Sequence, residues 1–180
     1  VADMGSLRGE NRILVRYGLN QIPKTGRIGL LKLLNLSDLN AETITTGDIA
    51  SKLAPRLNSL GRISDPMKGV ELLLTRDFTV ATNLVDFIDK KNQERQKIER
   101  RDSLEIEKMI EQHPDLLEGK AIVLFSKTCH PGIIAIIAAR LSKLHNRPTV
   151  VVTEDKGVLK ASVRTIPEFP ILPVLRENDR

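Results

Sequence analysis

From position 78 to 113 the chain has neither glycine nor proline, and its apolar residues gather at the two ends of the stretch. Val80, Leu84, Phe87 and Ile88 recur at helical spacing at one end, and Ile106, Met109 and Ile110 at the other, while 89–97 carries no apolar residue. This pattern predicts a helix that is packed at both ends and solvated in the middle. Asp77 is placed to cap its start, and Pro114 stops it. At ~1.5 Å per residue the helix would be roughly 54 Å long, too long to lie across one small domain. The stretch therefore predicts a bridge between two globular bodies.

Before the bridge the apolar spacing is helical. A helix is predicted over 11–19, with Ile13, Leu14 and Tyr17 on one face, and another over 28–36. Thr45-Thr46-Gly47-Asp48 reads as a capping box, opening a helix that turns Ile49 and Leu53 inward. Pro55 then kinks or restarts that helix. Ser64-Asp65-Pro66 opens the next, with Ser64 as its cap and an apolar run over 70–74. After the bridge the pattern changes. The continuous apolar run 121–125 predicts a strand buried on both faces, 132–144 a helix, and 149–152 a second buried strand. Strand, helix and strand within about 30 residues make a βαβ unit with parallel strands. A third strand is predicted over 158–166, and Pro167, Pro170 and Pro173 are expected to end regular structure or to sit at an edge. The predicted fold class is α/β, in three parts. These are a mostly helical part (1–76), a long connecting helix (77–113) and a βαβ-containing part (114–180).

Composition narrows the function. The chain is 41% hydrophobic and 28% charged, which is globular rather than disordered. The net charge is +5, distributed as +4 over 1–76, −2 over 77–113 and +3 over 114–180. Two basic flanks mildly favour a polyanionic partner, although on charge alone they read first as ordinary surface charge. Four Phe, one Tyr and no Trp leave no aromatic platform for stacking bases. Any grip on nucleic acid must come from Arg, Lys, Ser and backbone N–H groups on phosphate. The single Cys129 allows no internal disulfide and points to a reducing compartment, the cytoplasm. The longest apolar run, 133–139, is far too short to span a membrane. The chain starts Val-Ala-Asp without Met and reads as an internal fragment.

Four places carry candidate chemistry. Arg56 and Arg62, with Asn58 and Gly61 between them, suit a phosphate through guanidinium geometry. From that segment alone, they read as two solvated arginines at a helix end. Cys129-His130-Pro131-Gly132 lies between a buried strand and a helix, where free N–H groups and the helix dipole make an anion site. His130 would add a donor there, or simply cap the helix. No other ligand stands at a metal-site spacing from Cys129 and His130. Ser162 and Arg164 share a strand face, a hydroxyl and a guanidinium suited to a terminal phosphate, or the polar face of an edge strand. Asp3 is placed to ligate a divalent metal, or to cap a turn.

Taken in order, these segments resemble the RecJ family of the DHH phosphoesterase superfamily. Val1-Ala2-Asp3, Leu7, Gly9-Glu10-Asn11-Arg12, Leu14-Val15 and Gly18-Leu19 resemble that family's fourth motif. Leu53-Ala54-Pro55-Arg56-Leu57-Asn58 with Gly61-Arg62 is similar to the next. The segment 70–75 and the long polar helix resemble the family's linker. His130-Pro131-Gly132-Ile133-Ile134 with Ala139-Arg140-Leu141 resembles the first motif of the DHH-associated domain. Ser162-Val163-Arg164-Thr165-Ile166 lines up with that domain's Ser-Gly-Arg-Ser-Ile, with Val163 in the place of the glycine.

The resemblance implies a single-strand DNA exonuclease of DNA repair and recombination that works from the 5′ end with Mn²⁺ or Mg²⁺. It hydrolyses phosphodiesters with a metal-activated water. The chain would be the end of a DHH domain, the linker and the start of a DHH-associated domain, with DNA threading between the two bodies. Asp3 matches a metal ligand. Arg56, Arg62, Ser162 and Arg164 fall on motifs that hold the DNA 5′ phosphate and backbone. The family's Asp-His-His and earlier aspartates lie outside these residues, so the chain alone is expected to be inactive. Two alternatives stand beside this reading. One is a DHH phosphodiesterase acting on short oligoribonucleotides or cyclic dinucleotides, and the other is a non-catalytic nucleic-acid or partner-binding module.

Overall fold

A computed structural model describes residues 1–2 and 5–177. In chain order the elements are α1 (Glu10–Gln21), α2 (Ile28–Leu36), α3 (Thr46–Asp48), α4 (Ala54–Ile63), α5 (Met67–Leu74) and α6 (Phe78–Gln112). They are followed by β1 (Ile122–Phe125), α7 (Ile134–His145), β2 (Thr149–Asp155), β3 (Val158–Arg164) and α8 (Ile171–Glu177). The chain divides into two compact units, Val1–Glu94 and Arg95–Arg180. The division falls inside α6, not at either of its ends.

The first unit is helical, around a core that includes Leu33, Leu34, Leu60, Leu72, Leu84 and Ile88. Thr45 opens α3 as its spacing predicts. Its Oγ1 accepts from the Asp48 N–H, and the Asp48 carboxylate accepts from the Thr45 N–H at 3.0 Å. A single π-helical stretch, Ile49–Leu53, then leads into α4, with Pro55 in the first turn. The backbone stays helical from Thr46 to Ile63, so Pro55 neither breaks nor restarts the helix but follows directly on the wider π-helical turn. At α5 Pro66 stands at the N-cap rather than in the first turn, and Ser64 does not cap the helix; the Asp65 carboxylate accepts from the Met67 N–H at 2.9 Å across Pro66. Helices α2 and α5 approach so closely that a Cβ on Gly29 would overlap the Leu72 carbonyl oxygen. The apolar face of α1 (Ile13, Leu14 and Tyr17) is exposed.

Helix α6 is continuous from Phe78 to Gln112, and the Asp77 carboxylate accepts from the Val80 N–H at 2.9 Å. Its middle is less bare than the polar sequence predicts. Asn92 is 3% exposed, and the Arg95 side chain, paired with Glu99, is only 12% exposed. Ile88, Asn92 and Arg95 continue the buried stripe at spacings of four and three, so polar side chains occupy inward positions there.

The second unit is a three-stranded sheet in the order β1-β2-β3. Strands β1 and β2 are parallel, as the βαβ reading predicts, and β3 returns antiparallel to β2. The hairpin turns at Lys156 and Gly157, whose φ angles of 54° and 79° match a two-residue turn with both central residues left-handed. Helices α6 and α7 cover one sheet face, meeting Ile122, Leu124 and Val151 through Ile106, Ile134 and Ile137. The prediction that β1 is buried on both faces fails, since Val123 is 58% and Phe125 45% exposed. An apolar strand records its side chains but not what covers them. Pro167 and Pro170 lie in irregular backbone after β3, as expected, whereas Pro173 falls in the first turn of α8. Among the described residues, no helix is long and apolar enough to cross a membrane.

Candidate nucleic-acid interface

Three of the candidate places lie among the described residues, while Asp3 lies outside them. On α4, Arg56 is engaged internally. Its Nε donates to the Asp89 carboxylate on α6 at 3.1 Å, and its Nη1 donates to the Lys52 carbonyl at 2.9 Å. Both partners of the ion pair are partly buried. The other Asp89 oxygen accepts from Gln93 at 2.8 Å. Arg62 stands six residues on, about 120° round the helix from Arg56 at ~100° per residue. It is half-buried and already has an interaction within the protein. The structure does not bring the two arginines onto one face.

The turn between β1 and α7 hangs from α6. Asp102 is fully buried. One of its oxygens accepts from the His130 backbone N–H at 2.8 Å, and the other accepts from Arg101 Nε at 2.8 Å and Nη2 at 2.7 Å. One helical turn on, the Glu105 carboxylate accepts from Ser126 Oγ at 2.5 Å and from Thr128 Oγ1. Ser126 Oγ in turn accepts the N–H groups of Thr128 and Cys129, and Thr153 Oγ1 donates to the Cys129 carbonyl at 2.6 Å. The hydrogen bonds from Ser126 and then Thr128 hold the Glu105 carboxyl below the usual carboxylate range. Burial pushes the Cys129 thiol up, against a smaller opposing effect of Ser126.

The helix-mouth anion site predicted around His130 is therefore filled from within, because a resident carboxylate, Asp102, takes the His130 N–H. Of the His130 ring, Nδ1 accepts from the Gly132 N–H at 3.0 Å, which places the ring proton on Nε2.

Ser162 and Arg164 lie together on β3. Arg164 Nη1 reaches the Ser162 hydroxyl at 3.4 Å and the Val163 carbonyl at 2.8 Å. Arg164 is exposed and Ser162 half-buried, with Val163 paired to Val150 and turned to the opposite face. Register sets Arg164 opposite Thr149 at the start of β2, whereas the His130 turn is tied to Thr153 near the end of β2. The two places thus lie at opposite ends of the same strand pair. Among the described residues, no three His, Cys, Asp or Glu side chains converge where a metal ion could be held. They form no metal centre, and what they can do chemically is bind anions.

The carboxylates Asp89, Asp102 and Glu105 escape a motif reading because they look like ordinary helix-surface charge. A signal was nevertheless present. Asp102 and Glu105 fall in register with Ile98, Ile106 and Met109, at spacings of four, three, one and three. A carboxylate inside an apolar stripe needs a partner in the protein.

No protein-family model matches the chain. The single-stranded-DNA-specific exonuclease RecJ of Bacillus subtilis is 35% identical over 179 residues, which is 98% of this chain and 22% of that protein. RecJ of Haemophilus influenzae is 32% identical over 179 residues, 97% of this chain and 31% of that protein. The crystal structure of RecJ from Thermus thermophilus in complex with Mn²⁺ matches with a TM-score of 0.85 at 31% identity, covering 99% of this chain and 26% of that one. The same protein in complex with Mg²⁺ gives a TM-score of 0.82 at 30% identity. The chain spans about a fifth to a third of the length of the curated relatives it matches. In sequence and in fold, over nearly its whole length, the chain is similar to one segment of RecJ.

Proposed function

We propose that this chain is part of a RecJ-like, metal-dependent exonuclease that degrades single-stranded DNA from the 5′ end, acting in DNA repair and recombination in the cytoplasm. The observation that carries this reading is the joint match in sequence and fold to RecJ over 98–99% of the chain. In this reading residues 1–76 end a DHH domain and 114–180 begin a DHH-associated domain. Mn²⁺ or Mg²⁺ is held by residues outside the described part, Asp3 among them. The described residues supply the grip on DNA.

Ser162 and Arg164 hold a phosphate, the guanidinium by charge-assisted hydrogen bonds and the hydroxyl as a neutral donor. His130 offers its Nε2–H as a further donor. Arg62 contacts the DNA backbone, and Arg56 acts by holding α4 against Asp89. Phosphate contacts of this kind are sequence-independent and salt-sensitive, in keeping with the lack of stacking aromatics.

The test uses the full-length protein that carries this chain, with Mn²⁺ and single-stranded DNA labelled at one end or the other. Stepwise loss from the 5′ end, with duplex DNA spared, is expected. Loss from the 3′ end, or preferred hydrolysis of short oligoribonucleotides or cyclic dinucleotides, would overturn it. The 180-residue chain by itself is expected to bind DNA without cutting it, and metal-dependent nucleotide release by that chain would count against the division of labour.

A further inference from the structure

Strand β3 carries a third donor in line with Ser162 and Arg164. The β2–β3 register sets Lys160 opposite Thr153, Ser162 opposite Val151 and Arg164 opposite Thr149. Residues two apart share a face, so Lys160, Ser162 and Arg164 form one row with a step of about 6.8 Å, at ~3.4 Å per residue. That step is close to the phosphate-to-phosphate distance of an extended single strand. Lys160 also stands at the end of the row nearer His130. Its Nζ lies 2.5 Å from the carboxylate of Asp155, the last residue of β2, across the hairpin. That carboxyl is held below its ordinary value, mainly by the Lys160 hydrogen bond, with smaller effects from the charges of Lys160 and Lys156. The cross-strand partner of Lys160, Thr153, donates to the Cys129 carbonyl beside His130, so the row runs towards the His130 turn.

The Lys160–Asp155 pair is at the surface, the lysine side chain being half exposed. Such pairs contribute little net stability because both ions remain hydrated. A lysine ammonium on its flexible stem can therefore exchange a carboxylate for a phosphate at small cost.

We propose that Lys160 is a phosphate-binding residue, taking the phosphate next to the one held by Ser162 and Arg164. Asp155 is a built-in competitor that occupies the ammonium until DNA displaces it. The proposal rests on the reading of this chain as a single-strand DNA binder. It adds a contact and a brake that this reading does not contain.

The experiment titrates the 180-residue chain with a 5′-phosphorylated oligothymidylate at several salt concentrations. Lys160→Ala is expected to lower affinity severalfold and to reduce the log–log salt slope by about 0.7, one phosphate contact on a single strand. Asp155→Asn is expected to raise affinity, and the gain should vanish in the Lys160→Ala background. An unchanged slope in Lys160→Ala, beside a reduced slope in Arg164→Ala, would overturn the role of Lys160 and leave the DNA-binding reading intact. An equal gain from Asp155→Asn with and without Lys160 would overturn the competitor, since it would report only a change in net charge. Failure of the wild-type chain to bind, or an Arg164→Ala variant that behaves as wild type, would instead overturn the DNA-binding reading.

Discussion

Two kinds of basic or donor-rich site occur in this molecule, and they differ in what already occupies them. On α4 and in the turn before α7, the groups that read as phosphate binders face carboxylates of the long helix. Arg56 meets Asp89, and the His130 N–H meets Asp102. On β3, Arg164 reaches only its own strand neighbours, the Ser162 hydroxyl and the Val163 carbonyl, among the contacts described. The difference teaches that donor geometry alone does not make a ligand site. An internal anion converts the same geometry into a structural joint, and the sequence distance between the partners, 33 residues for Arg56 and Asp89, hides the conversion.

The strongest way to break this contrast is to remove an internal anion. Asp102→Ala would leave the half-buried His130 N–H without its acceptor, at a cost of about 1–3 kcal/mol. The melting temperature should fall, and Cys129, buried and held as a slow-reacting thiol, should label faster with a maleimide under native conditions. Unchanged melting and labelling would mean that the joint is not one.

Arg164→Ala should do the opposite. Its effect on stability is expected within ~0.5 kcal/mol, as for an exposed residue. Affinity for single-stranded DNA should fall about tenfold, since a hydrogen bond to a charged group contributes ~1.5–3 kcal/mol. The preference for 5′-phosphorylated over 5′-hydroxyl ends should be lost with it. A variant that melts early but binds normally would reverse the assignment.

Arg56→Ala sharpens the other side. Loss of the partly buried pair with Asp89 should cost about 1 kcal/mol, or roughly 2–4 °C in a chain of this size, with DNA affinity unchanged. A fall in affinity without a fall in melting temperature would move Arg56 to the ligand-binding group.

The smallest effect concerns Glu105. Its folded carboxyl is held below the ordinary range, so the stabilisation it gives is present above the unfolded value and is lost as pH falls through the folded one. The melting difference between wild type and Glu105→Gln should therefore be largest near neutrality and shrink in acid. A difference independent of pH would remove the charge from the explanation.

Much of the fold is legible because local chemistry decides it. The Thr45–Asp48 capping box, the βαβ unit and a 35-residue helix ending before Pro114 all follow from short-range rules. What escapes depends on partners distant in sequence. The run around Ile122 reads as doubly buried, yet packing reaches only Ile122 and Leu124 and leaves Val123 and Phe125 exposed. The middle of α6 reads as solvated because Asn92 and Arg95 are polar, although both turn inward. At the candidate site, the alternation that unites Ser162 with Arg164 is a property of any strand and was readable. The apolar stripe marked Asp102 as needing a partner, but not which one, because nothing in the motif around His130 points to a helix 28 residues earlier.

The two-residue turn at Lys156 and Gly157 bears on how β3 can vary over evolutionary time. One strand face carries Lys160, Ser162 and Arg164, and the other carries Leu159, Ala161 and Val163. Loss or gain of a single residue in that turn would slip the strand by one position and exchange the two faces. Every basic side chain of β3 would then be misplaced without any of them having been substituted. Length variation here should be rarer than substitution, and a glycine inserted after Gly157 should abolish DNA binding more completely than any single alanine on the strand.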